Sequence, residues 1–198
     1  MKALIIVDVQ NDFLPGGTLA VPNGDQIIPF INSIQSKYDL VVATQDWHPS
    51  DHGSFAANNI GKKPGDMSEL AGLPQIMWPV HCVQFTKGAE LAASLELKFI
   101  DKVFTKGEDA QIDSYSGLYD NGKRRSTGLG EYLKEKEVDQ VDVVGLAADY
   151  CVKYTAIDAQ QFGFQTTVLK EGTRAVNLQP DDFDLAMSEL SDAGVNVR

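Results

Sequence analysis

The chain has 198 residues, 43% of them hydrophobic, and carries 17 Lys and Arg against 28 Asp and Glu, for a formal net charge of −11 and a pI near 4.6. A chain of this size and apolar content buries a substantial core and is expected to fold as one domain, 1–198. The acidic balance argues against nucleic acid or an anionic membrane as partner, because both are bound by clustered Lys and Arg, and favours a small neutral or cationic ligand.

The first segment, Lys2 to Val9, reads as a buried strand. Its apolar run stops at Asp8, too early for a signal-peptide core or a membrane span, so a cytoplasmic protein is expected. Asp25 to Tyr38 places Ile27, Ile28, Ile31 and Ile34 at helical spacing, and Asp39 to Thr44 is the next strand. Trp47 to Val83 is rich in Gly, Pro, Asn and His without sustained periodicity, and long irregular segments inside a compact chain are usually functional. The cycle then resumes: strand Phe99 to Thr105, helix Gly130 to Lys136, strand Val141 to Gly145, helix Cys151 to Phe162, strand Gln165 to Leu169, helix Asp181 to Asp192 and a short strand Val195 to Val197. Strands with continuous apolar runs, alternating with helices, predict an α/β fold: a three-layer α/β/α sandwich around a mostly parallel sheet.

In such a sheet ligands bind beyond the carboxyl ends of the strands, so the reactive residues just past each strand are the candidates. They are Asp8, Asp46, Lys106 and Cys151. Asp149 is a candidate N-cap that would put Cys151 in a first helical turn, where free N–H groups and the helix dipole favour a thiolate. The amides of Ala147 and Cys151 could then donate to a developing oxyanion. An isolated cysteine is more often a small buried hydrophobe, and Cys82 fits that description. In a reducing compartment the two thiols read as separate groups rather than a disulfide. What separates Cys151 from Cys82 is its company: a carboxylate able to take its proton and a cation able to stabilise its anion.

All three histidines lie in or just after the irregular stretch, His48 and His52 in TQDWHPSDH and His81 in WPVHC. With Asp46 they offer a hard oxygen and borderline imidazoles, suited to one divalent ion such as Zn, Fe or Mn; His52 stands apart from the others, since Asp51 and His52 also read as a polar turn. Phe13, Trp78 and Tyr115 lie beside these positions and as a set could wall a flat slot for an aromatic ring.

Taken together, DVQNDF with GGTLAV, TQDWHPSDHGSF, WPVHC, FTKG with SYSG, and GLAADYCV resemble the nicotinamidases of the isochorismatase-like cysteine hydrolase superfamily, over nearly the whole chain. The resemblance implies a three-layer α/β/α fold with a metal-binding loop region around 46–82, and hydrolysis of nicotinamide to nicotinate and ammonia in NAD salvage, with pyrazinamide as a further substrate. It implies Cys151 as nucleophile, Asp8 as general base and acid, Lys106 as supporting cation, and Asp46, His48 and His81 as metal ligands, with His52 a fourth in some members. Phe13, Leu19, Trp78 and Tyr115 would bind the substrate ring, and a cis peptide between Leu146 and Ala147 would help aim the Ala147 and Cys151 amides. Ala148 departs from the Thr common in the family, at a position with no catalytic role. Two rival readings are a thiol amidohydrolase acting on ureido or carbamoyl substrates and a non-catalytic metal-binding or redox-sensing protein. A homo-oligomer is left open, because no coiled-coil heptad or other assembly signature marks one.

Overall fold

The structure, a computed structural model, describes residues 1–198. In chain order its regular elements are β1 (Lys2–Val7), α1 (Ile28–Gln35), β2 (Leu40–Asp46), β3 (Met67–Leu70), β4 (Leu73–Ile76), β5 (Lys102–Lys106), α2 (Leu129–Glu135), β6 (Gln140–Leu146), α3 (Lys153–Gln161), β7 (Gln165–Arg174), α4 (Asp182–Asp192) and β8 (Asn196–Val197). Six strands pair in the order β5-β2-β1-β6-β7-β8, every pair parallel. No helix is long and apolar enough to cross a membrane.

The period-2 geometry of β1 explains the layering. Ala3, Ile5 and Val7 face one hydrophobic cluster, which α2, α3 and α4 complete with Leu129, Leu133, Ala156, Ala159, Met187 and Leu190. Leu4 and Ile6 face the other, built with Ile28, Ile31 and Ile34 of α1 and with Ala89, Ala92 and Leu95 from the chain before β5. All five residues from Ala3 to Val7 are fully buried, so a continuous apolar run is what this central strand requires. The expected three-layer α/β/α architecture is therefore present.

Three local expectations need correction. The irregular stretch holds an antiparallel hairpin, β3 paired with β4, whose polar and mixed residues carry too short an alternation to stand out. β7 runs to Arg174, past the apolar segment, because its pairing with β6 shifts register: Val143 faces Val168 but Gly145 faces Thr173. Asp149 is not a helix cap; the residue before the turn is Ala147, and the Asp149 carboxylate instead accepts the N–H groups of Val176 and Asn177, both at 3.0 Å.

The order of strands reverses about β1, which has β2 on one side and β6 on the other, and a crevice opens at their carboxyl ends. Gly145 keeps that junction tight. It pairs with Val7 at φ +117°, and a Cβ there would lie 2.0 Å from the Val7 carbonyl oxygen. Gly145→Ala must therefore push β1 and β6 apart, and a loss of roughly 2–5 kcal/mol in unfolding free energy is expected from strain plus overpacking. Urea titration checks this, and a variant within about 0.5 kcal/mol of the parent would contradict it.

Candidate active site

Each predicted catalytic side chain leaves a different strand. β1 ends at Val7, and Asp8 turns away with φ +49°, its Oδ1 accepting the Thr44 hydroxyl at 2.6 Å. Asp46 and Lys106 end β2 and β5 as direct register partners. Cys151 follows β6 inside a wide helical turn, Ala148–Val152, that opens α3. The peptide bond between Leu146 and Ala147 is cis, as expected.

Asp8, Asp46 and Cys151 converge on one buried cation, Lys106. Lys106 Nζ lies 2.9 Å from Asp8 Oδ2 and 3.4 Å from Cys151 Sγ, donates to the Ser114 carbonyl at 2.9 Å, and forms a close ion pair with Asp46. Asp8, Lys106 and Cys151 are 0%, 2% and 7% exposed, so bulk water does not screen the charges. Burial opposes the ammonium, yet Asp46 and Asp8 together outweigh it and hold Lys106 well above its ordinary value. Burial also opposes the Asp46 carboxylate, and Lys106 and then His48 overcome this, keeping it ionised. For Asp8 burial wins over Lys106, and its pKa is raised.

Cys151 differs from expectation. Burial drives its thiol well above the ordinary value, and Lys106 offsets only part of that. The helix start does not activate the sulfur by itself; the resting group is a thiol that needs a base. Asp8 is suited to be that base, because a carboxylate with raised pKa holds an abstracted proton better.

Beside this group stand the predicted metal-binding residues. His48 Nε2 and His81 Nε2 lie 3.6 Å and 3.9 Å from Asp46 Oδ2. Their Nδ1 atoms face backbone carbonyls, Gly107 for His48 and Pro79 for His81, each at 2.8 Å, which turns both Nε2 atoms toward Asp46. Burial and the neighbouring His48 push His81 down to about 4, so its ring is neutral near pH 7. The ligand atoms of Asp46, His48 and His81 fall within 4.8 Å of one another, a donor set that fits one divalent ion. His52 is not in that triad. It groups with His48 and Asp113, its ring 4.4 Å from that of His48, and its buried Nε2 has no partner.

A small pocket connects the two groups. Phe13, Leu19, Trp78, Tyr115, Ala147 and Cys151 line it, as do Asp46, His48 and His81. Sequence reasoning missed three further walls, Asp113, Tyr150 and Val176. Tyr150 was within reach as the neighbour of Cys151 in the same turn; nothing in the sequence marks Val176 or Asp113. Trp78 meets Tyr150 edge-on at 4.9 Å and donates from Nε1 to the Tyr115 hydroxyl at 3.1 Å, making a rigid flat-sided slot.

Comparison with known proteins gives a consistent result. The Isochorismatase domain model matches residues 2–198. The nicotinamidase of Escherichia coli K12 is 48% identical, the match covering 99% of this chain and 93% of the relative. The crystal structure of the yeast nicotinamidase bound to the inhibitor nicotinaldehyde superposes with a TM-score of 0.94 at 37% identity, covering 100% of this chain and 99% of that one. The Pyrococcus horikoshii pyrazinamidase, determined in complex with zinc, gives 0.81 at 34% identity over 100% of this chain and 98% of that one. With its strand-end Asp, Lys and Cys and a family match over nearly its whole length, the chain belongs to the isochorismatase domain family.

Proposed function

We propose that this chain is a nicotinamidase, with residues 1–198 acting as one catalytic domain that hydrolyses nicotinamide to nicotinate and ammonia through a thioester on Cys151. The observation that carries this reading is the pocket: the Cys151 thiol, backed by Lys106 and Asp8, on one side, the imidazoles of His48 and His81 on the other, aromatic walls between. A planar ring bearing a carboxamide and a ring nitrogen matches both ends. Relatives named for nicotinamide and pyrazinamide hydrolysis support it, and pyrazinamide fits the same description.

Asp46, His48 and His81 would hold a divalent ion, zinc, iron or manganese, whose chemistry when bound is Lewis-acid coordination of the pyridine nitrogen. His52 stands next to His48 as a fourth candidate. The residues of the chain do the rest. Phe13, Leu19, Trp78 and Tyr115 orient the ring and keep water out. Asp8 takes the Cys151 proton while Lys106 stabilises the sulfur anion, which attacks the carboxamide carbon. The amides of Ala147 and Cys151 receive the carbonyl oxygen as it becomes negative. Asp8 returns its proton to the leaving nitrogen, the C–N bond breaks, and ammonia departs from an acyl thioester. Asp8 then deprotonates a water, which adds to the acyl carbon; the C–S bond breaks, Asp8 returns the proton to the Cys151 sulfur, and the acid leaves and ionises to nicotinate.

The rival readings fit less well. A ureido or carbamoyl substrate has no use for an aromatic slot. A redox sensor needs a resolving thiol, and Cys82 lies in the hydrophobic cluster on the opposite face of the sheet from Cys151.

Ammonia release from nicotinamide tests the reading. The protein stripped with chelator and reloaded with zinc, iron or manganese is expected to recover activity with at least one ion, and Cys151→Ala to lose at least about 10³-fold in kcat. Absence of ammonia under every loading would refute the assignment. Asp8→Asn is expected to lower kcat by roughly 10²–10⁴-fold yet raise the melting temperature at pH 7. The folded pKa of Asp8 lies above its ordinary value of 3.8, so the stability it contributes is full below that value and lost as pH rises through the raised one. A lowered melting temperature for Asp8→Asn at pH 7 would contradict the charge assignment.

A further inference from the structure

The segment DVQNDF supplies Phe13 to the pocket wall and Asp8 to the buried group behind Cys151, and the mechanism leaves Gln10 and Asp12 without a role. Neither side chain lines the pocket, yet both are committed to short contacts with the backbone that carries the metal-binding residues. Gln10 is 0% exposed. Its Oε1 accepts the Asp46 N–H, and its Nε2 donates to the Asp46 and Ala89 carbonyls, all at 2.8 Å. The reason lies in the strand ends. The β1–β2 pairing stops at Ile6 and Ala43, and Asp8 turns β1 away, while β2 continues to Asp46. The Gln10 carboxamide stands in for the missing strand, satisfying both buried peptide groups of Asp46.

Asp12 does the same for the histidines. Its Oδ2 accepts the N–H of Cys82, the residue after His81, at 2.7 Å. Cys82 sits at φ +46° and its carbonyl accepts the His48 N–H at 3.0 Å, so one residue bridges both imidazole-bearing segments. Gly88 leaves the room for this carboxylate, since a Cβ there would lie 2.1 Å from Asp12 Oδ2.

We infer that Gln10 and Asp12 are positioning residues of the metal centre, Gln10 aligning Asp46 through its backbone and Asp12 aligning His81 and His48 through Cys82. The inference rests on the metal reading above, and its test separates the two. Zinc affinity of the metal-stripped protein is measured by competition with a chromophoric chelator, alongside the unfolding midpoint of each metal-free variant. Gln10→Ala and Asp12→Ala are each expected to bind zinc about 10- to 100-fold more weakly, the usual effect of removing a group that orients a ligand. Tyr38→Phe, which breaks the 2.5 Å hydrogen bond to Asp142 far from the ligands, is expected to lower the midpoint and leave zinc affinity unchanged. If Gln10→Ala does not fold, Gln10→Glu replaces it: the volume and the acceptor for the Asp46 N–H remain, the donor is gone, and the same loss of affinity is expected. Zinc affinities within about twofold of wild type for both the Gln10 and Asp12 variants would overturn the inference and leave the metal reading standing. A wild-type protein that binds no zinc, iron or manganese would overturn both.

Discussion

Everything at the site depends on one buried ammonium. Lys106 reaches Asp8, Asp46 and the Cys151 sulfur at once, and removing water from these charges would be costly if they did not neutralise one another. One cation cannot fully neutralise two carboxylates. Asp46, in the closest contact, keeps its charge, and Asp8 is left with a raised pKa. That inequality divides the labour: Asp46 is a permanent anion facing two imidazoles, and Asp8 is a base able to exchange a proton with sulfur. The ammonium also ties the hydrolytic half of the pocket to the metal-binding half, because one Asp46 oxygen meets Lys106 and the other faces His48 and His81.

The sheet topology explains why these groups meet without special local structure. Parallel neighbours end at the same level, so Asp46 and Lys106, as register partners, place their side chains side by side. Glycine handles the two close approaches. At Gly145 the β1 and β6 backbones nearly touch, and at Gly107 a Cβ would lie 2.4 Å from the His48 ring, whose Nδ1 bonds the Gly107 carbonyl. A side chain at Gly107 would displace the His48 ring, and one at Gly145 would part the two central strands.

Much of this is legible in the sequence. Strand ends can be read because buried parallel strands are unbroken apolar runs, so the reactive side chains just past each run mark the crevice. Asp8, Lys106 and Cys151 emerge in this way, and the Asp-x-His pair with the later His81 by ligand chemistry. The state of the thiol does not, since local sequence displays a helix start but not the burial that outweighs it. Asp149 misleads for a similar reason: its partners, Val176 and Asn177, lie far along the chain. The parts played by Gln10 and Asp12 are invisible because both act on backbone groups brought close only by folding.

The central claim is that the carboxamide is opened by Cys151, with Lys106 and Asp8 as its support. Acid quenching during nicotinamide turnover, followed by peptide mass spectrometry, tests it most directly. The account predicts a nicotinoyl thioester on the peptide containing Cys151, none on that containing Cys82, and its disappearance once substrate is exhausted. Turnover that continues with no acyl group on Cys151, or an adduct confined to Cys82, would contradict it.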